Sequence, residues 1–378
     1  MKRIWTLALL GILSASSVAG VVYWSQIQQS STNQMLGGVL INLMMPSNIP
    51  GSETVIFTYI PLEYEAYNEV IPLGHLDPPD HTFPTDHIYF FLVSQSNSYD
   101  VVAPAGGNIS MVMYSPYNYT ENGENTTYDD YAVYIRHNES FDSYFGHLSE
   151  LADWIQNQVG ELPEGDWVDV NIPVKAGQIL GKAKQRPGQY CLDWGAVNWE
   201  ITLNFIHPKT YPLQTAHAVC PLDYLTDSLK EIAYQKVYRT AEPRGGKIDF
   251  DLPGKLSGNW FLEGGEPNVW NWSRHLAFVY DVYDPTQMVV AVGGDALSPL
   301  PVSVFNAVGP DPKNVSSENG KITYNLTDQY TYENYTLLVE FVGDEKIKVE
   351  AFEGHLYNPD FVNPKYYTRT GPYNWEDC

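Results

Sequence analysis

Three histidines and an aspartate lie close together in the first quarter of the chain, at His75, His81, Asp86 and His87. Imidazole nitrogens and carboxylate oxygens are ligands that zinc commonly takes in proteins. His81, Asp86 and His87 therefore form a candidate metal site just before a predicted strand. A packed turn whose imidazoles bond to backbone and carboxylates is the alternative, and the several prolines in the segment fit either reading.

A second candidate is His147, in the run Phe145-Gly146-His147-Leu148-Ser149. It follows a predicted strand over residues 131–136 and a turn. An imidazole in this place suits proton transfer or charge stabilisation. The polar end of a buried strand is the structural alternative.

The order of these elements resembles the LytM/lysostaphin-type zinc peptidases, the duplicated hybrid motif or peptidase β-sheet core. That family shows His-x-x-x-Asp, an Ala-Pro-x-x-Gly turn, Tyr-x-His-Leu-Ser, Val-x-x-Gly-Gln-x-x-Gly and a closing His-x-His-Phe-Glu. Three similar elements occur here, at residues 103–107, 145–149 and 174–181. The resemblance spans roughly His81 to Tyr224 and implies a β-rich domain with a zinc site.

The chain departs from the family at the metal ligands. Ala196-Val197-Asn198-Trp199-Glu200 stands where we align the closing His-x-His-Phe-Glu. His81 matches the first ligand, but Asp86 follows five positions later, and strand alternation lets only one of Asp86 and His87 face inward. The resemblance implies zinc-activated water, with His147 assisting the transition state, only if an altered metal site survives. We expect a catalytically degenerate domain.

The first residues indicate export. Lys2 and Arg3 precede residues 4–24, which carry no charge and are long enough for a membrane-spanning helix or a secretory signal. Cleavage after Ala19 and retention as an anchor both fit the sequence. Either places the remainder outside the cytoplasm, with residues 25–53 as a stalk.

Two β-rich domains are predicted after the stalk, over residues 54–240 and 247–378. Runs of β-branched and aromatic residues predict strands at 55–60 and 199–203 and a strand-turn-strand at 167–181 in the first domain, and strands at 288–292 and 346–352 in the second. The first domain ends in an amphipathic helix within 222–239, and a Pro/Gly linker follows. Evenly spaced short strands make the second domain a barrel or sandwich, and Gly258-Asn259-Trp260-Phe261 resembles the opening of lipocalin-like barrels. The fold class is mainly β.

Surface chemistry agrees with an extracytoplasmic protein. The formal net charge of −24 excludes nucleic acid as a partner because its phosphates would be repelled. Eight Asn-x-Ser/Thr sequons predict glycosylation. They are Asn108, Asn118, Asn125, Asn138, Asn271, Asn314, Asn325 and Asn334.

Of the three cysteines, Cys191 and Cys220 are predicted to form a disulfide, which outside the cell would contribute about 3 kcal/mol. Cys378 is left over, and it has three open fates: a free thiol, a cross-link between two chains, or a replacement for one member of that pair.

The sequence therefore favours a cell-surface protein whose peptidase-like domain binds or scaffolds, with a cell-envelope protein, peptide or glycan as partner and homo-oligomers allowed. No cofactor is expected, and the membrane is contacted only through the N-terminal segment. The first alternative is an active zinc metalloendopeptidase using His81, Asp86 or His87, and His147. The second is a surface-layer or filament subunit.

Overall fold

The computed structural model describes residues 54–121, 123–264 and 272–370. The predicted export segment, the stalk, Asn271 and Cys378 lie outside these ranges. Within them, no helix combines the length and apolar character needed to cross a membrane.

The described chain is mainly β, as predicted, and its contacts divide it into two units. The first unit takes in residues up to Ile71, then Ile88–Asn198 and Pro221–Val237. The second takes in Pro72–His87, Trp199–Cys220 and the chain from Tyr238 onward. Two segments that precede Tyr238 in the chain, 72–87 and 199–220, thus belong with the C-terminal unit. The boundaries 54–240 and 247–378 stay a prediction.

Helices are few and short in the described ranges. The α-helices are α1 (Asp153–Val159), α2 (Leu213–Ala216) and α3 (Asp227–Tyr234). Single 3-10 turns lie at Tyr64–Ala66, Pro208–Thr210, Pro221–Tyr224, Trp272–Arg274, Asp295–Leu297 and Ser317–Asn319.

The first unit is built on an antiparallel sheet. Its strands, in chain order, are β1 (Tyr67–Ile71), β2 (His87–Leu92), β3 (Ser98–Val102), β4 (Gly107–Tyr114), β5 (Tyr117–Glu121), β6 (Glu124–Tyr128), β7 (Tyr131–Asn138), β8 (Phe141–Leu148), β9 (Glu150–Leu151), β10 (Asp166–Val174), β11 (Ile179–Lys184) and β12 (Cys191–Asn198). The main sheet runs in the order β1-β2-β12-β8-β7-β4-β10. The order β3-β11-β9 forms a small second sheet, and β5 and β6 form a separate hairpin.

Aromatic side chains fill the core of this unit. Trp194 on β12 is fully buried, and its ring lies 5.3 Å from Phe57 and 6.0 Å from both Phe90 and Phe145. Burying rings of this size is a large apolar contribution to stability. This buried core determines which side chains of β8 and β12 face inward. It therefore also determines which of their side chains point away from the core.

Two strand predictions in this half of the chain are wrong. Residues 55–60 make only an isolated bridge through Phe57, and residues 199–203 form no strand. The strand instead lies just before residues 199–203, at β12. Asp193 and Gly195 of β12 are poor strand formers, but the burial of this segment outweighs their low strand propensity. The predicted helix within 222–239 is shorter, as α3. The strand-turn-strand at 167–181 is present, although β10 pairs with β4 and β11 with β3.

The second unit contains a closed antiparallel barrel, which settles the predicted choice between barrel and sandwich. A short strand, β13 (Ala218–Val219), precedes it. The barrel strands are β14 (Gly258–Leu262), β15 (His275–Tyr280), β16 (Met288–Val292), β17 (Ser303–Val308), β18 (Ile322–Asp328), β19 (Asn334–Gly343), β20 (Lys346–Glu353) and β21 (Lys365–Thr368). β21 pairs back with β14 and closes the ring.

Side chains from every barrel strand meet inside it. They form one buried cluster that includes Trp260, Phe278, Phe305 and Tyr324. The guanidinium of Arg369 lies 3.8 Å from the centre of the Trp260 ring, and its Nη1 donates to Asn259 O at 2.9 Å. A desolvated cation over an indole contributes about 2 kcal/mol. The barrel interior is therefore a packed core.

Segment 72–87 covers part of the outer barrel surface within the second unit. Phe83 stacks on His275 at 4.0 Å, and Leu76 packs against Ala277 and Val279 on the same strand. These outward residues alternate with the lumen-facing Leu276 and Phe278, as a barrel strand requires. Segment 72–87 is thus part of the barrel's packing, and in segment 199–220 the ring centre of Tyr211 lies 6.0 Å from that of Phe261 on β14.

Candidate functional site

His147 sits at an irregularity near the end of β8. The pairing of β8 with β7 shifts between Val133↔Phe145 and Tyr131↔Leu148, so one extra β8 residue is accommodated there. His147 adopts φ 66, a left-handed conformation that costs a non-glycine residue roughly 1 kcal/mol. The bulge aims the imidazole at two carboxylates on neighbouring parts of the sheet.

Both ring nitrogens of His147 are engaged by these carboxylates. Nδ1 lies 2.8 Å from Asp130 Oδ2, just before β7, and Nε2 lies 3.2 Å from Asp193 Oδ2 on β12. The pairing Asp193↔Gly146 explains why Asp193 reaches the ring from the adjacent strand. An imidazole between two carboxylates donates from both nitrogens only when it is protonated.

The electrostatics favour that protonated form. Burial alone would lower the pKa of His147, but the charges and hydrogen bonds of Asp130 and Asp193 outweigh it and hold the pKa well above its usual value. At neutral pH His147 is therefore an imidazolium ion. It has no lone pair to offer a metal or to accept a proton.

Further polar groups surround His147 and its two carboxylate partners. The buried Arg186 places Nη2 3.8 Å from Asp130 Oδ2, and its guanidinium lies 5.4 Å from the centre of the Tyr117 ring. On the other side, Cys191 Sγ donates to Asp193 Oδ1 at 3.6 Å. Each carboxylate thus has a second partner besides His147. We call His147, Asp130 and Asp193 the His147 triad.

Asp130 was not predicted as a site residue, and Asp193 was not predicted to lie beside His147. Their assembly depends on long-range strand pairing. The available signal was the buried strand around Trp194, because assigning β12 there places Asp193 beside the end of β8.

The positions aligned with the closing His-x-His lie away from His147. Ala196 pairs with Ser143 and Asn198 with Phe141, towards the opposite end of β8. At about 3.3 Å per residue, position 196 is roughly 10 Å along the strand from Asp193. Asn198 instead donates from Nδ2 to the Tyr224 hydroxyl at 3.1 Å. The β12 positions beside His147 are Cys191 and Asp193.

The structure brings together His81, Asp86 and His87 in the second unit. Asp86 Oδ1 lies 3.0 Å from His87 Nδ1, its Oδ2 accepts from the Thr215 hydroxyl, and the rings of His81 and His87 are 5.4 Å apart. Burial would raise the pKa of Asp86, but these hydrogen bonds and the nearby imidazoles lower it overall. Among the described residues, no group of three or more His, Cys, Asp or Glu is arranged to hold a metal ion.

His137 lies at the opposite end of the β7–β8 hairpin from His147. Its Nδ1 lies 2.9 Å from Gly106 O and its Nε2 2.7 Å from Ser143 Oγ. Burial lowers the pKa of His137 to about 4, against a weaker opposing effect of the Gly106 carbonyl. This ring is neutral at physiological pH.

A cavity of about 400 Å³ opens beside His137. Its walls are Thr54, Val55, Ile56, Ala105, Gly106, His137, Asn138 and Glu139. Since both nitrogens of His137 are already bonded to protein groups, the cavity is suited to binding more than to proton transfer.

The predicted Cys191–Cys220 disulfide is not formed, because the described chain has both residues as thiols. Cys191 belongs to the first unit, where its sulfur donates to Asp193, and Cys220 belongs to the second.

The sequon asparagines that the structure describes differ in exposure. Asn108, Asn125, Asn314 and Asn334 are exposed, whereas Asn118, Asn138 and Asn325 are partly buried.

No family model and no curated protein matches this sequence. Among solved structures, the chain is similar to the SpoIIQ-SpoIIIAH pore forming complex at 14% identity, over 47% of this chain and 98% of that chain, with a TM-score of 0.28. A crystal structure of the SpoIIIAH and SpoIIQ complex is similar at 14% identity, over 44% and 98%, with a TM-score of 0.26. The solution structure of lysostaphin is similar at 14% identity, over 84% and 92%, with a TM-score of 0.24.

Proposed function

We propose that this chain is an exported cell-envelope protein whose first unit is a catalytically degenerate LytM-like domain that binds or scaffolds other envelope components. The His147 triad carries the proposal. In the resembling peptidases the corresponding histidine assists a metal-dependent reaction, whereas here both nitrogens of His147 are held by carboxylates. At this position in the present chain, the histidine therefore contributes to the stability of the fold.

The charge state of His147 argues against a peptidase role. A zinc ligand must be a neutral imidazole, and a general base must accept a proton. Two carboxylates within 3.2 Å of the ring oppose deprotonation, so His147 serves neither role at neutral pH. Because both ring N–H groups already donate to carboxylates, neither is directed at a transition-state oxyanion. A peptidase zinc site also needs three protein ligands and an open position for water.

Export and partner class follow from the sequence. The uncharged run over residues 4–24 and the sequons support an extracytoplasmic location, and the partner is an envelope protein, a peptide or a glycan. The packed barrel interior suits a structural module because aromatic side chains already occupy its lumen.

Metal content and assembly state test the proposal together. The full-length chain is extracted from its native envelope in mild detergent, sized by native chromatography, and dialysed against trace zinc before elemental mass spectrometry. We expect co-elution with another envelope component and far less than one zinc per chain, unchanged by His81→Ala or His147→Gln.

Peptidase activity with about one zinc per chain, both lost in His81→Ala, would overturn the proposal in favour of a metalloendopeptidase. Elution as a lone, metal-free chain would contradict the scaffolding part. His355→Gln, a change of another histidine at an exposed position outside both histidine clusters, serves as the matched control variant.

A further inference from the structure

Two sequons face each other across the β5–β6 hairpin. The register pairs Asn118 with Thr127 and Thr120 with Asn125, so each asparagine stands opposite the threonine of the other sequon. Residues directly opposite, and residues two apart on one strand, share a face of the ladder. All four side chains therefore project from the same face of the hairpin.

Hydrogen bonds join the two sequons on this face. The Thr127 hydroxyl donates to Asn118 Oδ1 at 2.5 Å, and the Thr120 hydroxyl donates to Asn125 Oδ1 at 3.3 Å. Thr120, Asn125 and Thr127 are exposed, and Asn118 is partly buried. The asparagine and threonine side chains thus line a surface that is open to solvent.

The opposite face of the hairpin packs against the first unit through tyrosines. Tyr117 and Tyr128 stack with their ring centres 5.5 Å apart, and the Tyr117 hydroxyl donates to Pro187 O at 3.1 Å. The Arg186 guanidinium, which lies near Asp130 of the His147 triad, is 5.4 Å from the Tyr117 ring. The hairpin is two-sided, with tyrosines inward and sequons outward.

The same reciprocal arrangement occurs in the barrel, between β18 and β19. Asn325 pairs with Thr336 and Thr327 with Asn334. Here, however, Thr336 is fully buried, and its hydroxyl donates to Gly354 O and accepts from Leu356 N. The chain around residues 354–356 therefore covers the side of this pair that contains Asn325.

We propose that the outer face of the β5–β6 hairpin is a double N-glycosylation site, with glycans on Asn118 and Asn125 of the same molecule, and that Asn325 is left unmodified. Diagonal positions in a ladder lie about 7 Å apart, so the two glycans leave the hairpin side by side. Together they cover the solvent-facing side of the hairpin. The inference rests on the proposed export of the chain.

Site-specific mass spectrometry of the full-length chain from its native cells tests this inference. Peptides spanning the hairpin should carry glycan at both asparagines, and the intact mass should show both on one molecule. Thr127→Ala should abolish modification at Asn125 and leave Asn118 modified. Thr127→Ser, which keeps both the sequon and a hydroxyl opposite Asn118, should preserve both.

The other sequons separate the possible failures. Glycan at the exposed Asn314 with an unmodified hairpin would refute the paired site and leave the export proposal standing. Glycan at Asn325 would refute the selectivity. Chains without glycan at any sequon would refute the paired site. Export would then be tested separately, by using protease protection to measure on which side of the membrane residues 54–370 lie.

Discussion

Two histidines at opposite ends of the β7–β8 hairpin have different charge states. His137 bonds to a backbone carbonyl and a serine hydroxyl, and burial lowers its pKa to about 4. His147 bonds to two carboxylates, which raise its pKa well above the usual value despite burial. A histidine side chain is therefore neutral at one end of this hairpin and cationic at the other.

The difference lies in the partners. A neutral acceptor or hydroxyl does not offset the cost of removing an imidazolium ion from water, whereas a nearby carboxylate does. A histidine in a family motif therefore cannot be assigned a catalytic role by position alone. Its neighbours decide whether it can accept a proton, bind a metal or only stabilise the fold.

The largest effect is expected from His147→Gln. This change removes the cation between Asp130 and Asp193, although Arg186 Nη2 still lies 3.8 Å from Asp130, and breaking a largely buried ion cluster costs roughly 2 to 4 kcal/mol. Urea denaturation at pH 7 measures the free energy of unfolding. The double variant that adds Asp193→Asn removes one of the two carboxylate charges and leaves Asp130 paired with Arg186, and we expect it to recover much of the loss. A single variant as stable as the wild type would contradict the ion-cluster account.

The two histidines should affect stability in opposite directions with pH. The pKa of His137 is about 4 in the folded state and 6.5 in the unfolded state. Between these values the unfolded state binds more protons, so the contribution of His137 to the free energy of unfolding is lost as pH falls from 6.5 to 4. For His147, the raised folded pKa gives a contribution that is complete below the unfolded value and is lost as pH rises through the folded one.

These signs are checked by measuring the unfolding free energy from pH 4 to pH 9. Relative to the wild type, His137→Gln should reduce the loss of stability between pH 6.5 and pH 4, by up to about 3 kcal/mol. His147→Gln should differ most from the wild type at low pH, and the gap should narrow in the alkaline range. The opposite assignment of the two curves would refute the comparison.

Ser143→Asp should make His137 resemble His147. The Ser143 hydroxyl is 2.7 Å from His137 Nε2, and a carboxylate there should raise the pKa of His137 by about 1 to 3 units. Chemical-shift titration of the ring protons measures this change. Ser143→Asn, which has a similar size and no charge, is the control and should leave the pKa low.

The smallest effect is expected from Cys191→Ser. The thiol is a weak donor at 3.6 Å from Asp193 Oδ1, and a hydroxyl can replace it, so the unfolding free energy should change by less than about 1 kcal/mol. A loss comparable to that of His147→Gln would mean that Cys191 contributes to the cluster far more than its geometry indicates.

Local patterns predicted the second unit well and the triad poorly. The predicted strand 288–292 coincides with β16, and 346–352 lies within β20, because alternation and β-branched residues mark both. Cys191–Asn198 went unrecognised because Asp193 and Gly195 weaken its strand pattern, and its burial comes from Phe57, Phe90 and Phe145 elsewhere in the chain. His147 was identified from its motif, but its chemistry depends on Asp130 and Asp193, which only the fold brings to it.

Nitrogen-15 NMR of the histidine-labelled full-length chain tests most directly whether His147 is a structural cation. At pH 7 we predict that both ring nitrogens of His147 show imidazolium shifts, unchanged by equimolar zinc. A neutral His147 tautomer, or a His147 resonance displaced by zinc, would contradict the account.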